Sequence, residues 1–202
     1  MTFDHIESAI AAVGRGEVVI VVDDEDRENE GDLIVAAEKI TAETMGFMVR
    51  HTSGVICMPM MGERLDDLRI PLMVSHNTES QRTAFTVSVD ARNGTTTGIS
   101  AADRATTVRT LVDPTSGSDD FVRPGHIFPL RYREGGVLKR AGHTEAAVDL
   151  ARLSGLAPAG VLAEVVNDDG TMARLPQLQA FAAEHGLQLI TIADLIRFRR
   201  HR

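Results

Sequence analysis

Apolar positions along the chain follow two spacings, and each spacing predicts one kind of element. Phe3, Ile6, Ile10 and Val13 recur at helical intervals, which predicts a first helix. A continuous apolar run at residues 18–22 follows, as is typical of a buried β-strand. The same criteria predict strands near residues 33–37, 54–58, 85–89, 160–166 and 188–191, and helices near residues 41–50, 101–112, 145–154 and 176–185 and from residue 194.

Two stretches give weaker patterns. Residues 62–83 suggest only a short helix followed by irregular chain, and residues 113–136 are expected to be mostly loop. Helices and strands alternate too irregularly for a barrel, and the short turns between neighbouring strands favour a mixed sheet. We therefore expect an α+β (α/β mixed) fold, with a mixed β-sheet and helices on both faces in three layers. Residues 1–202 are expected to form a single domain.

Charge is concentrated in one place. The formal net charge is −8, of which residues 23–32 carry −6 through seven carboxylates and one arginine. This composition lacks the basic surface that nucleic acid requires, so no nucleic-acid partner is expected. No apolar run approaches about 20 residues, so no membrane partner is expected either. The lone Cys57 excludes an internal disulfide, suits a cytoplasmic protein and is expected to be a small core residue.

The acidic segment at residues 23–32 has two interpretations. A run of charges is commonly a solvated loop. However, Arg27 lies within the run, and Gly31 ends it directly before a strand, so the carboxylates are held on a short loop at a strand end. Hard divalent cations such as Mg²⁺ bind carboxylate oxygens and keep water positions open for a substrate. Both a solvated loop and a metal site remain open from the local sequence.

Other candidate chemistry lies far along the chain. Arg140, Gly142 and His143 directly precede a helix, where a guanidinium and free N–H groups can bind an anion. His143 could bind a metal or simply occupy the helix start. His126 follows arginine and glycine in a second segment, where a packed or exposed histidine is the alternative. Glu164 lies within an apolar strand, so it must be paired or at an edge, where it suits acid–base chemistry.

Five motifs occupy residues 23–32, 97–104, 123–126, 142–146 and 167–170. In this fixed order they resemble the 3,4-dihydroxy-2-butanone 4-phosphate synthase family. The resemblance covers essentially the whole chain and implies the three-layer fold with a mixed sheet. It also implies a homodimer with active sites at the subunit interface, and a domain that is often the N-terminal part of a bifunctional protein with GTP cyclohydrolase II.

The resemblance implies an activity and a set of roles. Members of the family convert D-ribulose 5-phosphate to L-3,4-dihydroxy-2-butanone 4-phosphate and formate for riboflavin biosynthesis, with Mg²⁺, or Mn²⁺ as an alternative. Two divalent ions per site are expected. Glu28 and His143 are the implied metal ligands, and His126 and Glu164 the implied catalytic residues. The proton transfers of the reaction lead us to expect that Asp32 is also catalytic and shares the acid–base work with Glu164. The implied substrate contacts are Arg27, Glu28, Asp32, Arg140, Ala141, Gly142, His143, Thr144 and Glu164.

Two other functions compete with this interpretation. A metal-dependent aldose–ketose isomerase or epimerase would share the enediol step and the phosphate anchor, but would release no formate. A non-catalytic module would bind a sugar phosphate or serve only for dimerisation. The presence of Glu28, His126, His143 and Glu164 together argues against such a module.

Overall fold

A seven-stranded mixed β-sheet runs through the protein, and its central strands are buried on both faces. The computed structural model describes residues 3–201. The strands are β1 (Val19–Val22), β2 (Gly31–Ala36), β3 (Cys57–Met60), β4 (Val89–Ala91), β5 (Phe121–Arg131), β6 (Gly160–Glu164) and β7 (Gln188–Thr191). The α-helices are α1 (Ile6–Arg15), α2 (Ala42–His51), α3 (Gly62–Asp67), α4 (Ala101–Val112), α5 (His143–Leu153), α6 (Leu175–His185) and α7 (Ile192–Arg200).

The strand order is β4-β5-β3-β6-β2-β1-β7. Strands β1 and β7 are parallel, as are β3 and β5, whereas the other neighbouring pairs are antiparallel. The expected mixed sheet is therefore confirmed. No helix among residues 3–201 combines the length and the apolar character that a membrane crossing requires.

Alternation along each strand divides the core into two layers. In β2, Leu33 and Val35 face one layer, while Ile34 and Ala36 face the other. Helices α2, α3, α4 and α6 cover the first layer, and α1, α5 and α7 cover the second. The predicted three-layer arrangement is thus confirmed. Asp32 precedes Ile34 by two residues and therefore faces the layer of α5.

Local capping explains where the predicted helices begin. Thr41 accepts a hydrogen bond from the Thr44 amide before α2, and Ser100 accepts one from the Asp103 amide before α4. Helix α5 begins at His143, two residues before its predicted start. The strand expected at 54–58 is shifted to Cys57–Met60, and only Val89 of the strand expected at 85–89 lies within β4.

The expectation that residues 113–136 are mostly loop is wrong. Strand β5 occupies eleven of these residues and is inserted between β4 and β3. Proline is tolerated because each proline removes only its own donor. The amides of Phe128 and Tyr132 donate to the carbonyls of Ile56 and Met60 at the two ends of β3. The Pro129 carbonyl instead accepts a hydrogen bond from the Thr86 amide on the other side.

Several of the segments singled out in the sequence lie together at one end of the strands. Strand β1 ends at Val22 opposite Gly31, the first residue of β2, so the acidic segment is the connection between them. Asp32 in turn pairs with Glu164, the last residue of β6. The fold therefore brings carboxylates separated by more than a hundred residues to adjacent strand ends.

Candidate active site

The acidic loop is organised around the side chain of Asp23. Its carboxylate is fully buried and accepts hydrogen bonds from the Glu28 amide at 3.0 Å, the Glu30 amide at 2.9 Å and Arg27 Nη1 at 2.9 Å. Asn29 adopts a left-handed conformation with φ 55°, which lets the chain turn back toward β2. The loop is therefore folded on its own first carboxylate, a role that the sequence did not reveal.

Helix α5 places His143 beside this loop. Its Nε2 donates to the backbone carbonyl of Val21 at 3.1 Å, so Nδ1 points to the carboxylates. Nδ1 lies 3.6 Å from Glu28 Oε2 and 3.8 Å from Asp32 Oδ1. The imidazole is 6% exposed. A β-strand carbonyl thus fixes both the tautomer and the direction of the free nitrogen.

Burial and neighbouring charges shift the pKa values of these groups. Burial raises the pKa of Asp32 to about 7, and the charges of Glu164 and Glu28 act in the same direction. Burial alone would lower the pKa of His143, but Asp32 and Glu28 outweigh it and raise the pKa to about 9. The contact with His143 is the main effect that lowers the pKa of Glu28. The cluster therefore favours positive charge at its centre.

The donor set fits a divalent cation. Ligand atoms of Asp23, Glu28 and His143 all lie within 4.8 Å of one another. Asp32 Oδ1 is buried without a hydrogen-bond partner among the described residues, and such an oxygen is costly unless something positive approaches it. Because Asp23 already holds the loop, Glu28, Asp32 and His143 are the groups with coordination capacity to spare. Carboxylate oxygens and an imidazole nitrogen suit Mg²⁺ or Mn²⁺.

Glu164 lies next to this cluster at the end of β6. It is half-buried, and its Oε2 accepts a hydrogen bond from the Ser53 hydroxyl at 2.6 Å. The Ser53 amide also donates to the Glu164 backbone carbonyl at 2.8 Å. Glu164 is therefore paired, at the end of a central strand, and pairing is one of the two placements expected for it.

The guanidinium of Arg140 joins three segments near the start of α5. It donates to Glu145 Oε2 at 2.7 Å, to the Thr83 hydroxyl at 2.9 Å and to the Gln81 carbonyl at 3.2 Å. Burial raises the pKa of Glu145, and the charge of Arg140 opposes that effect. An anion that binds here would share Arg140 with Glu145. The N-cap position of α5 belongs to Gly142.

These side chains surround a cavity of about 150 Å³. Seven of the residues expected from the sequence line it, namely Arg27, Glu28, Asp32, Arg140, His143, Thr144 and Glu164. Ala141 lines an adjoining cavity of about 370 Å³ together with Arg27. The residues that sequence reasoning did not assign to the site are Glu30, Cys57, Glu79, Thr83, Phe85, Leu130 and Leu162. Cys57 is buried in the core as expected, and it also forms part of this cavity wall.

His126 lies outside the described lining of this cavity. Its Nδ1 is 2.7 Å from Asp90 Oδ2, and its amide donates to Asp90 Oδ1 at 2.8 Å. Gly98 packs so closely that a Cβ there would lie 2.0 Å from Asp90 Oδ2. The Asp103 carboxylate binds the amides of Thr96 and Gly98, so this threonine-rich segment forms a turn that supports the His126–Asp90 pair.

Strand register relates His126 to the cluster. Cys57 in β3 pairs with Phe128 on one side and Leu162 on the other. His126 and Glu164 lie two residues from these partners, toward the same end of the sheet. Two strand spacings separate them, roughly 10 Å. The two residues therefore lie at the same end of the sheet, but His126 does not line the cavity.

Comparison with known proteins places this geometry in a family. A model of the 3,4-dihydroxy-2-butanone 4-phosphate synthase family matches residues 7–198. A protein of that name from Agrobacterium fabrum is 65% identical over 198 residues, which cover 98% of this chain and 93% of the relative. This chain belongs to the 3,4-dihydroxy-2-butanone 4-phosphate synthase family.

Other synthase relatives extend the comparison. The riboflavin biosynthesis protein RibBA of Nocardia farcinica is 60% identical, with 98% of this chain but only 48% of the relative covered. The chain thus spans about half the length of that protein. A crystal structure of a 3,4-dihydroxy-2-butanone 4-phosphate synthase in complex with two magnesium ions is 48% identical, with a TM-score of 0.95 and 98% of both chains covered.

The synthase residues that sequence reasoning missed have a common origin. Glu79 and Thr83 come from the irregular stretch before β4, where hydrophobic periodicity gives no signal. Glu79 accepts hydrogen bonds from the amides of Gln81 and Thr83, so this stretch is a loop folded on a carboxylate. Asp23 and Glu79 each organise a loop by accepting hydrogen bonds from its amides. The only signal for this role in the sequence is the acidic residue itself.

Proposed function

We propose that this chain converts D-ribulose 5-phosphate into L-3,4-dihydroxy-2-butanone 4-phosphate and formate, for riboflavin biosynthesis. The observation that carries the proposal is the convergence of Glu28, Asp32 and His143 Nδ1 on one point of the sheet edge, with Glu164 on the adjacent strand end. This arrangement has the groups for metal binding and for proton transfer side by side. Family membership then supports one particular sugar phosphate reaction.

Glu28 and His143 would hold Mg²⁺, with Mn²⁺ as an alternative and two ions per site, and Asp32 lies close enough to assist. A related crystal structure in complex with two magnesium ions supports a divalent metal at this site. A cation bound there acts as a Lewis acid toward carbonyl and hydroxyl oxygens of the substrate. The chain's own contribution is to keep the His143 tautomer and the acidic loop in place.

The substrate phosphate would bind where Arg140 and the start of α5 meet. Arg140 supplies a forked donor, and Gly142, His143 and Thr144 form the first turn, where amide groups have no helical partner. Arg27 and Ala141 border the same region. Binding the phosphate away from the reacting carbons would hold those carbons against the carboxylates.

The reaction removes a proton beside the carbonyl, eliminates water from the sugar, shifts a carbon, and adds water back to release formate. Such steps need groups that both accept and release protons. Asp32 and Glu164 face each other across one strand pair and are the groups we assign to that work, with Glu164 held by Ser53. His126, oriented by Asp90, is the third proposed catalytic residue.

A homodimer with its active sites at the subunit interface would account for two further features. His126 lies outside the described cavity lining within one chain. In addition, Leu72, Met73 and Val74 are about half exposed in the segment that leads to the cavity residues Glu79 and Thr83. An exposed apolar segment of this kind favours a protein partner. We place the protein in the cytoplasm, which its buried and unpaired Cys57 supports. We propose no nucleic-acid or membrane partner.

Product analysis tests the reaction directly. The protein is incubated with ribulose 5-phosphate and Mg²⁺, with and without a chelator, and formate is measured enzymatically while phosphorus NMR follows the sugar phosphates. Formate equal in amount to the substrate consumed, and lost with the chelator, is the expected result. Conversion to another pentose phosphate without formate would instead indicate an isomerase or epimerase. No turnover would indicate a binding module.

A further inference from the structure

Arg174 is bonded to the backbone of the acidic loop. Its Nη1 donates to the Glu28 carbonyl at 3.0 Å and also contacts the Asn29 carbonyl. The same atom lies 4.0 Å from Glu30 Oε1. Arg174 is absent from the described lining of the cavity, so it supports the loop without facing the proposed substrate position.

The geometry of the loop makes this contact possible. Asn29 has a positive φ, and the turn that it forms leaves the carbonyls of Glu28 and Asn29 both within reach of one nitrogen. These carbonyls follow one another in sequence, so in an extended strand they would point in opposite directions. The guanidinium donates hydrogen bonds to the backbone carbonyls of Glu28 and Asn29, and it can reach both only in this conformation of the loop.

Arg174 lies at the start of helix α6, which packs against the acidic loop. It is the N-cap residue of α6, and its amide donates to Gln177 Oε1. Helix α6 is seated tightly against the end of the loop, since a Cβ at Gly31 would lie 2.5 Å from Leu178 Cδ1. Leu178 is itself buried in the core. Movement of the loop away from this position would break the close contact between Gly31 and Leu178 and the hydrogen bond from Arg174.

The two arginines beside Glu28 act differently. Arg27 Nη1 contacts the Glu28 carboxylate itself and thereby competes with any cation for that group. Arg174 binds the Glu28 carbonyl and leaves the carboxylate oxygens free. The positive charge of Arg174, 4.0 Å from Glu30 Oε1, also opposes the repulsion between the neighbouring carboxylates of Glu28 and Glu30.

We propose that Arg174 is a positioning residue that holds the Glu28 carboxylate in place for the divalent cation. The inference rests on the proposed function for the identity of the site, but its test does not depend on turnover. Arg174 touches neither the cation position nor the cavity, so its effect is on affinity for the metal. Outer partners of metal ligands typically change metal affinity by about 10- to 100-fold when they are removed.

The test measures Mn²⁺ binding by electron paramagnetic resonance, which separates free from bound ion. Arg174→Gln is expected to weaken Mn²⁺ binding about tenfold or more. Arg174→Lys is expected to recover most of the affinity, because an ammonium also has several donors. Arg50→Gln is the matched control, since Arg50 is exposed on α2 and the charge change is identical. It is expected to bind Mn²⁺ like the wild type.

Formate release then separates positioning from other roles. At saturating Mn²⁺, Arg174→Gln is expected to regain the wild-type kcat, with KM for ribulose 5-phosphate unchanged. Unchanged Mn²⁺ affinity in Arg174→Gln, or a kcat that stays low at saturating metal, would overturn the inference. If the wild type released no formate, the proposed function would fail, yet the Mn²⁺ comparison would still decide the role of Arg174.

Discussion

At the scale of single residues, the direction of His143 matters as much as its identity. Helix position alone leaves either ring nitrogen free to face a ligand. The Val21 carbonyl accepts from Nε2 and thereby commits Nδ1 to Glu28 and Asp32. Residue type and family resemblance predicted His143 as a ligand, and that role stays a prediction. The orienting carbonyl is 122 positions away in sequence, so no local pattern could have identified it.

The single tyrosine gives a direct test of burial by titration. The chain has one Tyr and no Trp, so tyrosinate absorbance reports Tyr132 alone. Burial, reinforced by the Asp149 carboxylate that accepts a hydrogen bond from the hydroxyl at 3.0 Å, raises the pKa of Tyr132 from 10.0 to about 12. We expect the folded protein to titrate near the higher value. Asp149→Asn should move the midpoint back toward the lower one.

The same pKa shift fixes the sign of a stability change. Between pH 10 and about 12 the unfolded chain has lost the Tyr132 proton while the folded chain retains it, so stability falls as pH rises through that window. Below pH 10 the two states are protonated alike and the contribution is constant. Urea unfolding across this range should show a shallower loss in Tyr132→Phe. An equally steep loss in both proteins would contradict the assignment.

At the scale of elements, the site depends on how closely α5 packs against β6. A Cβ at Gly160 would lie 2.8 Å from the Ala147 Cβ and 3.2 Å from its carbonyl oxygen, so there is no space for a side chain. Gly160→Ala should therefore lower the free energy of unfolding by about 1–3 kcal/mol through overpacking. Urea unfolding measures the change, and because His143 begins α5, metal binding should weaken with it.

Gly14 provides the matched control for that substitution. It lies within α1, and a Cβ there would meet Ser154 at an ordinary 3.8 Å. Gly14→Ala should raise the free energy of unfolding by about 0.4–1 kcal/mol, because alanine fits the helical backbone there and has fewer conformations in the unfolded chain. If Gly160→Ala were as stable as Gly14→Ala, the close packing of α5 on β6 would be wrong.

Sequence patterns predicted most elements but not β5. Period and capping located α2 and α4 to within a residue, because Thr41 and Ser100 act locally. Strand β5 holds two prolines, which lack the amide donor that a strand uses. Whether a strand tolerates them depends on how its other residues pair with the neighbouring strands. That information is tertiary. The acidic segment was identified as a loop at a strand end, but the role of Asp23 within it required the folded structure.

At the scale of the whole molecule, the proposed dimer makes a prediction about complementation. Glu164→Gln and His126→Gln should each lower kcat by about 10²- to 10⁴-fold as homodimers. If His126 serves the site of the other subunit, a mixed dimer contains one intact site. Co-expression of both variants should then restore about a quarter of the wild-type activity.

The control for complementation keeps both changes in one chain. A Glu164→Gln, His126→Gln double variant, co-expressed with either single variant, gives no mixed dimer with an intact site and should stay inactive. Failure of the two single variants to restore any activity would place both residues in the site of one chain. The extent of the domain over residues 1–202 and its fusion to GTP cyclohydrolase II stay predictions.

Formate release by Glu28→Gln is the most direct test that Glu28 binds the metal needed for the reaction. The substitution keeps the size of the side chain and removes one metal-binding charge. Glu25→Gln is the matched control, since Glu25 is exposed in the same loop. We predict that wild type and Glu25→Gln release formate from ribulose 5-phosphate in the presence of Mg²⁺, while Glu28→Gln releases none. Full formate release by Glu28→Gln would contradict it.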